Sequence, residues 1–580
     1  MKIVTTRRIS QIFFFVLFVW LCIVSSLGEG VNQLRGWPVN MFLQMDPLVS
    51  IGTILTTHTL YAPLILSLAV VILTIIFGRF FCGWVCPFGA IHQFVSHLAH
   101  HRKPVARQIK LNDYSAGQNT KYFILILFLT MAAIPMVGAS LQTGLLDPIP
   151  LVTRSFNLLL IPIIDRPFNF SSLMNRFYTG AWFVLLVFAS LVLLNLYKPR
   201  FFCRYICPLG ALFGILGRFS IWRIGKNNQE KCTKCGLCNQ NCEGGCEPAG
   251  KIRISECLLC FNCTDNCKDG LVSYQTRPSR AGEIRNPDIN RRGFMFSIAG
   301  SLLAVPAIRL SNEIGANWSA SVVRPPGALM EEEFLKRCIK CGQCMRVCPT
   351  NVLQPASIKP GIENLWTPIL NNRIGTSGCQ YNCVACSQVC PTAAIRPITL
   401  DEKHGKGEFE KVGPIKMGTA FIDRSRCLPW SMGKPCIVCE ENCPVSPKAI
   451  YTFDYFKTVR NGKFTIRNAT NTTIETFESG MKAGEFSSGD YYCTIENEKP
   501  RKIISNNENR IEIEPSEKFT NIPAKTSVFE IQIRLQGPEV DIEKCIGCGI
   551  CEHECPVSGL KAIRVTAEGE TRSSDRGLLL

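Results

Sequence analysis

The sequence predicts a multi-domain chain in which an α-helical membrane domain is joined to small α+β domains built around cysteines. Three observations carry this: four apolar stretches close to the ~20 residues that cross a hydrocarbon core, a duplicated motif beside them, and 31 cysteines, most in groups of four. At 580 residues the chain holds several domains of roughly 150 residues each. With 47% hydrophobic and 19% charged residues it has ample apolar surface to bury, which excludes disorder as its main state. Seven histidines are too few to match the cysteines in mixed Cys/His zinc sites. Without a Cys-x-x-Cys-His motif, covalent haem attachment is excluded. The formal charge is +18, but much of it lies beside apolar segments, a placement that fits membrane topology. No nucleic-acid partner is expected.

The apolar stretches cover residues 11–27, 62–80, 122–139 and 180–197. The first follows Lys2, Arg7 and Arg8 and reads as an uncleaved anchor. Basic residues then alternate between loops. Arg35 stands alone after the first stretch, Arg102, Lys103, Arg107, Lys110 and Lys121 follow the second, residues 141–178 hold three arginines against two aspartates, and Lys198, Arg200, Arg204, Arg218, Arg223 and Lys226 follow the fourth. This asymmetry places the amino terminus inside, with the second and fourth stretches descending to the cytoplasmic face.

The repeat supports that topology. Phe81-Cys-Gly-Trp-Val-Cys-Pro-Phe-Gly-Ala90 recurs as Phe202-Cys-Arg-Tyr-Ile-Cys-Pro-Leu-Gly-Ala211, each after an Arg-Phe pair, and Asp46-Pro47 upstream has its echo in Asp147-Pro148. Duplication accounts for both. Cys82 and Cys86, and likewise Cys203 and Cys207, share one face if the helix continues through them. They form a shared metal or cluster site, a redox-active thiol pair, the wall of a quinol pocket, or simply four buried small hydrophobes. Asp46 and Asp147 are candidate proton acceptors or plain turn and cap residues.

The remaining cysteines carry the strongest signal. Cys232, Cys235, Cys238 and Cys242, with a further Cys246, precede Cys257, Cys260, Cys263 and Cys267. This is the spacing of two-cluster bacterial ferredoxins, in which three close thiolates grip one [4Fe–4S] cube and the fourth reaches its neighbour. Neither Cys242 nor Cys267 precedes a proline, so either Cys242 or Cys246 is the remote ligand. Four more groups follow: Cys338, Cys341, Cys344 and Cys348; Cys379, Cys383, Cys386 and Cys390; Cys427, Cys436, Cys439 and Cys443; and Cys545, Cys548, Cys551 and Cys555. The second is stretched at its start and the third carries an inserted loop. Zinc accepts four thiolates too, but six sets in this spacing favour about six [4Fe–4S] clusters. Three-residue loops are poor disulfide geometry.

These features divide the chain into a membrane domain over 1–222, a cytoplasmic two-cluster domain over 223–290, a segment over 291–312, and an extracytoplasmic four-cluster domain over 313–580. The segment opens on Arg291-Arg292-Gly-Phe and reads as an internal twin-arginine-like signal or a fifth membrane helix. An insertion at about 450–540, rich in Asn, Thr, Lys and Glu with alternating apolar residues, suggests strands and surface loops.

Residues 1–290, on the paired Cys-x3-Cys-Pro motifs and the two-cluster block, resemble the NapH type of membrane subunit. Residues 291–580, on the twin-arginine-like start and four cysteine groups, resemble the NapG type of iron–sulfur subunit. The resemblance implies oxidation of a quinol (menaquinol or a relative) drawn from the membrane pool, and delivery of electrons through [4Fe–4S] clusters to an extracytoplasmic reductase or c-type cytochrome. It also implies that groups one and four of the last block share a cluster pair, as do groups two and three. A competing reading is a membrane copper reductase or assembly factor for a respiratory metalloenzyme, in which the four membrane cysteines act on a metal ion. No Gly-rich nucleotide fingerprint stands at a strand–helix junction, so no flavin or nicotinamide site is expected.

Overall fold

A computed structural model describes residues 3–25, 38–133, 141–168, 176–233, 235–284, 291–313, 322–496 and 498–572. Arg35, and the ends of the first and third apolar stretches, lie outside the described residues. The chain divides into two compact units, one of residues 1–376, 382–417 and 569–580, the other of 377–381 and 418–568.

In the first unit each apolar stretch forms a helix. They are α1 (Ile3–Val24), α3 (Leu66–Phe77, entered through a 3-10 turn), α5 (Thr120–Ala133) and α7 (Ala181–Leu193). Between them stand two shorter helices opened by the Asp-Pro pairs, α2 (Pro47–Thr57) and α6 (Pro148–Ser155), and two opened by the Cys-Pro pairs, α4 (Pro87–His100) and α8 (Pro208–Gly217). Proline at the first helical position explains all four starts, because its missing N–H is one that no helix would use. The bundle is therefore α1–α4 followed by a second copy, α5–α8.

By length and composition, two of the described helical stretches are long and apolar enough to cross a membrane: α1, and the run Pro148–Arg166, which continues α6. The second of these was not among the predicted stretches. Its window is 83% buried, so its apolar residues pack within the protein, whereas α1 shows Ile12, Phe13, Val16 and Trp20 on its surface.

Two cysteine-rich blocks cap this bundle. At the thiol end, residues 223–284 hold one antiparallel pair (Arg223–Lys226 with Val272–Gln275) and one parallel pair (Ile252–Arg253 with Glu283–Ile284). At the Asp end, the loop after Glu331–Arg337 packs onto the bundle, and Ile339 and Cys341 join the same hydrophobic core as Val49, Ile149 and Phe213. The segment opened by Arg291 is one continuous helix, Arg291–Glu313, running beside α5.

In the second unit the insertion forms a closed six-stranded antiparallel barrel: β1 (Ile450–Ala469), β2 (Thr473–Thr476), β3 (Tyr491–Ile495), β4 (Arg501–Asn506), β5 (Arg510–Ile513) and β6 (Val528–Val540), in the order β3-β4-β5-β2-β1-β6. The alternation that suggested strands puts Ile466, Ile474, Ile511, Ile513, Phe529 and Ile531 inside, with Cys493 among them as a small hydrophobe. Closure leaves no open sheet edge.

Candidate functional site

The four thiols of the repeat converge. Cys86 and Cys207 are the N-caps of α4 and α8, their Sγ atoms accepting from Gly89 N at 3.3 Å and Gly210 N at 3.1 Å. Cys82 and Cys203 precede them by one turn, and all four lie within electrostatic reach of one another. The arginines of the two Arg-Phe pairs cross over. Arg200 Nη1 donates to Cys82 O of the other copy at 3.2 Å, while Arg79 lies against Gly210.

Each arginine then meets a glutamate beside a cluster cysteine. Glu243 follows Cys242 and binds Arg7 at 2.6 Å and Arg200 at 2.9 Å. Glu256 precedes Cys257 and binds Lys121, Arg79 and the Tyr122 hydroxyl. Burial alone would push the Glu243 carboxyl up, but Arg200 and Arg7 outweigh it and hold it at about 2. At Glu256 burial also opposes ionisation, and Lys121 and Arg79 pull its carboxyl below the ordinary value. Arg7 opens α1 and Lys121 opens α5, so the same lock is built twice, once per copy. Sequence reading missed it, although the repeated Arg-Phe and the glutamates beside cysteines were its visible signal. Trp84 Nε1 donates to Leu259 O at 3.0 Å, and a Cβ on Gly83 would run into Leu258 O. The thiol loop and the cluster loop therefore touch backbone to backbone.

Within the first cysteine block the fourth thiols exchange. Cys238 faces Cys235 and Cys267, and Cys263 faces Cys257, Cys260 and Cys242. Cys242 and Cys246 lie 3.3 Å apart. Cys246 touches Cys257 as well, but only Cys242 is also placed against both Cys260 and Cys263. A hydrogen bond from Cys246 draws the Cys242 thiol down to about 7. In the regularly spaced groups the residue after the second thiol is left-handed, whereas in the stretched groups Val384 and Ile437 take φ of −129° and −125°. Gly236, Gly342 and Gly549 stand at φ of +74°, +77° and +75°, and each opens the short helix that carries the third thiol.

In the later groups the structure corrects the pairing that the resemblance implied. Group one pairs with group two: Cys338, Cys341 and Cys344 all face Cys390. In the second unit group three pairs with group four. Cys551 faces Cys545, Cys548 and Cys443, and Cys427 faces Cys436 and Cys555. Chain geometry is the reason. The barrel leaves and returns at one point, with Ile450 opposite Val540 and Asp541 N donating to Ala449 O at 2.7 Å, so groups three and four act as neighbours. Cys379 belongs to the second unit, where its N–H donates to Cys548 O at 2.7 Å; Cys348, Cys383 and Cys386 belong to the first.

Thiol geometry fits [4Fe–4S] clusters. Thiols of one short loop face a single thiol from another, as Cys257, Cys260 and Cys263 face Cys242 and as Cys338, Cys341 and Cys344 face Cys390. Among the described residues no three His, Cys, Asp or Glu side chains close on a single ion. Donors point at the sulfurs: Lys226 Nζ to Cys232, Ile395 N to Cys390 and Ala420 N to Cys545. Such bonds favour the thiolate and tune a cluster's potential.

At the Asp end, Asp46 caps α2 through Leu48 N at 2.9 Å and stands within electrostatic reach of Asp147 of the second copy; both are fully buried. Nearby, Arg154 binds Lys340 O at 3.1 Å and stacks on Trp366 at 4.0 Å, and Lys340 Nζ donates to Gln142 at 2.6 Å. The loop carrying Cys338 and Cys341 is thus fastened to the bundle through its backbone.

A chain with this many swapped four-thiol centres on one scaffold is an electron-transfer iron–sulfur protein holding multiple [4Fe–4S] clusters. The comparisons agree. The 4Fe-4S binding domain family matches residues 59–105 and 180–227, the two thiol motifs, and a 4Fe-4S binding domain matches 538–561. The 4Fe-4S dicluster domain family matches 337–394, groups one and two together. Ferredoxin-type protein NapG of Escherichia coli is 33% identical over 181 residues, covering 30% of this chain and 72% of that protein. Ferredoxin-type protein NapH of Haemophilus influenzae is 26% identical over 243 residues, 41% of this chain and 73% of that protein. Regulatory protein NosR of Stutzerimonas stutzeri is 26% identical over 170 residues, and the chain spans only 20% of its length. The chain belongs to the NapH/NapG-like 4Fe-4S ferredoxin-type family. No solved structure matches it.

Proposed function

We propose that this protein is a membrane-bound quinol dehydrogenase-type conduit, passing electrons from menaquinol or a related quinol to an extracytoplasmic reductase or c-type cytochrome. One observation carries the reading: cluster-type cysteine loops are locked to both ends of a single helical bundle, one through Glu243 and Glu256, the other through Lys340. The belt of exposed apolar residues, with Ile12 at 65% and Trp182 at 68% exposure, supports a bundle set in lipid. The basic loops argue for a cytoplasmic thiol end and an extracytoplasmic carboxy-terminal part.

The ligand sets follow from the facing thiols. Cys232, Cys235 and Cys238 take Cys267, and Cys257, Cys260 and Cys263 take Cys242. Cys338, Cys341 and Cys344 take Cys390, Cys427, Cys436 and Cys439 take Cys555, and Cys545, Cys548 and Cys551 take Cys443. When bound, each cluster supplies one-electron chemistry. The residues around them hold thiolates ionised by N–H donation, exclude water by burial, and fix the loops to the bundle. Asp46 and Asp147, two carboxyl groups buried near each other, are the groups that would hold protons at the Asp end.

The test is anaerobic reduction of the purified protein by a menaquinol analogue, followed by electron paramagnetic resonance. Cluster signals that develop within seconds support the proposal. Reduction of Cu(II) with no response to quinol overturns it in favour of metal handling.

A further inference from the structure

We infer that the gap between α1 and α4 is the binding site for the ring of a lipid-soluble quinol. The inference rests on the quinol reading above and says where that substrate sits. A cavity of about 460 Å³ opens between the two helices, lined by Ile12, Phe15, Ile91 and Phe94 and by the polar side chains of Gln11, which is buried, Gln93, and the exposed Arg8 and His97. Ligand sites have this character, mostly apolar walls with a few convergent polar groups. Ionisable and amide side chains facing a cavity within an apolar bundle mark function.

Its two amides are wired to the thiols. Gln11 Nε2 donates to Gly83 O at 2.7 Å and to Gln93 Oε1 at 2.6 Å, and Gln93 Oε1 also accepts from Arg200 Nη2 at 2.7 Å. Arg200 in turn donates to Cys82 O. One amide and one guanidinium thus separate the cavity from the quartet. Arg8, Gln93 and His97 also line a second cavity of about 300 Å³, walled by His100, His101 and Glu243. The ring's hydroxyl end would meet donors and acceptors leading toward water, while its tail lies along Phe15 and Phe94. A phospholipid acyl chain would need none of these polar groups.

The second copy supplies an internal control. By motif register, Gln93 and His97 correspond to Gly214 and Arg218. By the basic residue that opens each helix, Gln11 corresponds to Leu125. Gly214 is packed against the Tyr122 hydroxyl and Ser255 O, and Leu125 is buried. The amides therefore stand in the copy that is open.

Binding of a short-chain menaquinone analogue to the full-length protein in nanodiscs tests this, with iron content and circular dichroism as folding checks. Ala90→Trp, which fills the cavity, should weaken binding about tenfold or more, and His97→Ala severalfold. Trp182→Ala on α7 should leave it unchanged. A photoreactive quinone should label peptides of α1 and α4 in the unaltered protein, which keeps the test open if Ala90→Trp does not fold. Unchanged affinity in both cavity variants, labelling elsewhere, or equal competition by a decyl chain without a ring would overturn the site. The two readings fail separately. If quinone binds here but quinol reduces no cluster, the functional proposal falls and the site stands. If quinol reduces the clusters equally well in Ala90→Trp, only the site falls.

Discussion

In α4 the residues seven and eleven places after the second thiol are Gln93 and His97, both lining a cavity, whereas the same places of the second copy hold Gly214, in α8, and Arg218, at its C-cap. Gly214 lets Tyr122 and Ser255 close in on that helix. Yet both copies keep the Cys-Pro cap, the crossed arginine and a basic residue paired with a buried glutamate. The difference teaches how duplication divides labour. Features that need both copies, such as four thiols at one point, stay alike because each copy supplies half. A site that one copy can form alone is free to survive in one and be packed shut in the other.

Substitutions in matched pairs can break or sharpen that comparison. The largest effect is expected from Cys86→Ser and Cys207→Ser. If the quartet works as one unit, each alone should abolish electron delivery and remove the same spectroscopic feature, measured by electron paramagnetic resonance and iron analysis. A variant in one copy that leaves both intact would show that the copies do not share the site. Next come the glutamate locks. Glu256→Ala strands Lys121 and Arg79 in a buried place and should cost about 3–5 kcal/mol in denaturant unfolding. Glu243→Ala should cost less, because that carboxylate is 13% exposed against 4%. An equal or reversed order would mean the two locks are not matched. Gly214→Ala should cost about 1–3 kcal/mol by overpacking against Tyr122, and Tyr122→Phe should relieve part of it.

The smallest effect lies outside the repeat and serves as a baseline for charge locks. Burial alone would raise the Glu331 carboxyl, but Arg324 at 2.6 Å and Arg572 at 2.9 Å outweigh it and hold it at about 2, below its ordinary 4.5. A depressed folded value contributes stability that is fully present above 4.5 and is lost as pH falls toward 2. With partial exposure allowed for, this is on the order of 1–2 kcal/mol. Glu331→Gln should flatten the acid limb of the stability curve over that interval.

Much of the cluster chemistry was legible because it is local. A cube gripped by three thiols within one short loop demands a fixed spacing, and Cys338, Cys341 and Cys344 advertise it whatever the rest of the chain does. The helices were legible for the same reason, since the apolar run that becomes α3 is contiguous. Pro148–Arg166 was not, because Arg154, Asp165 and Arg166 break its hydropathy; Arg154 instead binds Lys340 O and stacks on Trp366. Nor did any spacing reveal that Glu243 and Glu256 would each meet a cation from a different helix.

By itself, then, the sequence determined the ferredoxin-type spacing of the cysteine groups, where the chain is apolar and that one half of the bundle repeats the other, all properties of neighbours along the backbone. Tertiary structure alone decided that groups three and four face each other, because a closed barrel returns the chain to its starting point. It also decided that Gln11 and Gln93 share a cavity beside the thiols, because residues 82 places apart meet only once α1 packs on α4.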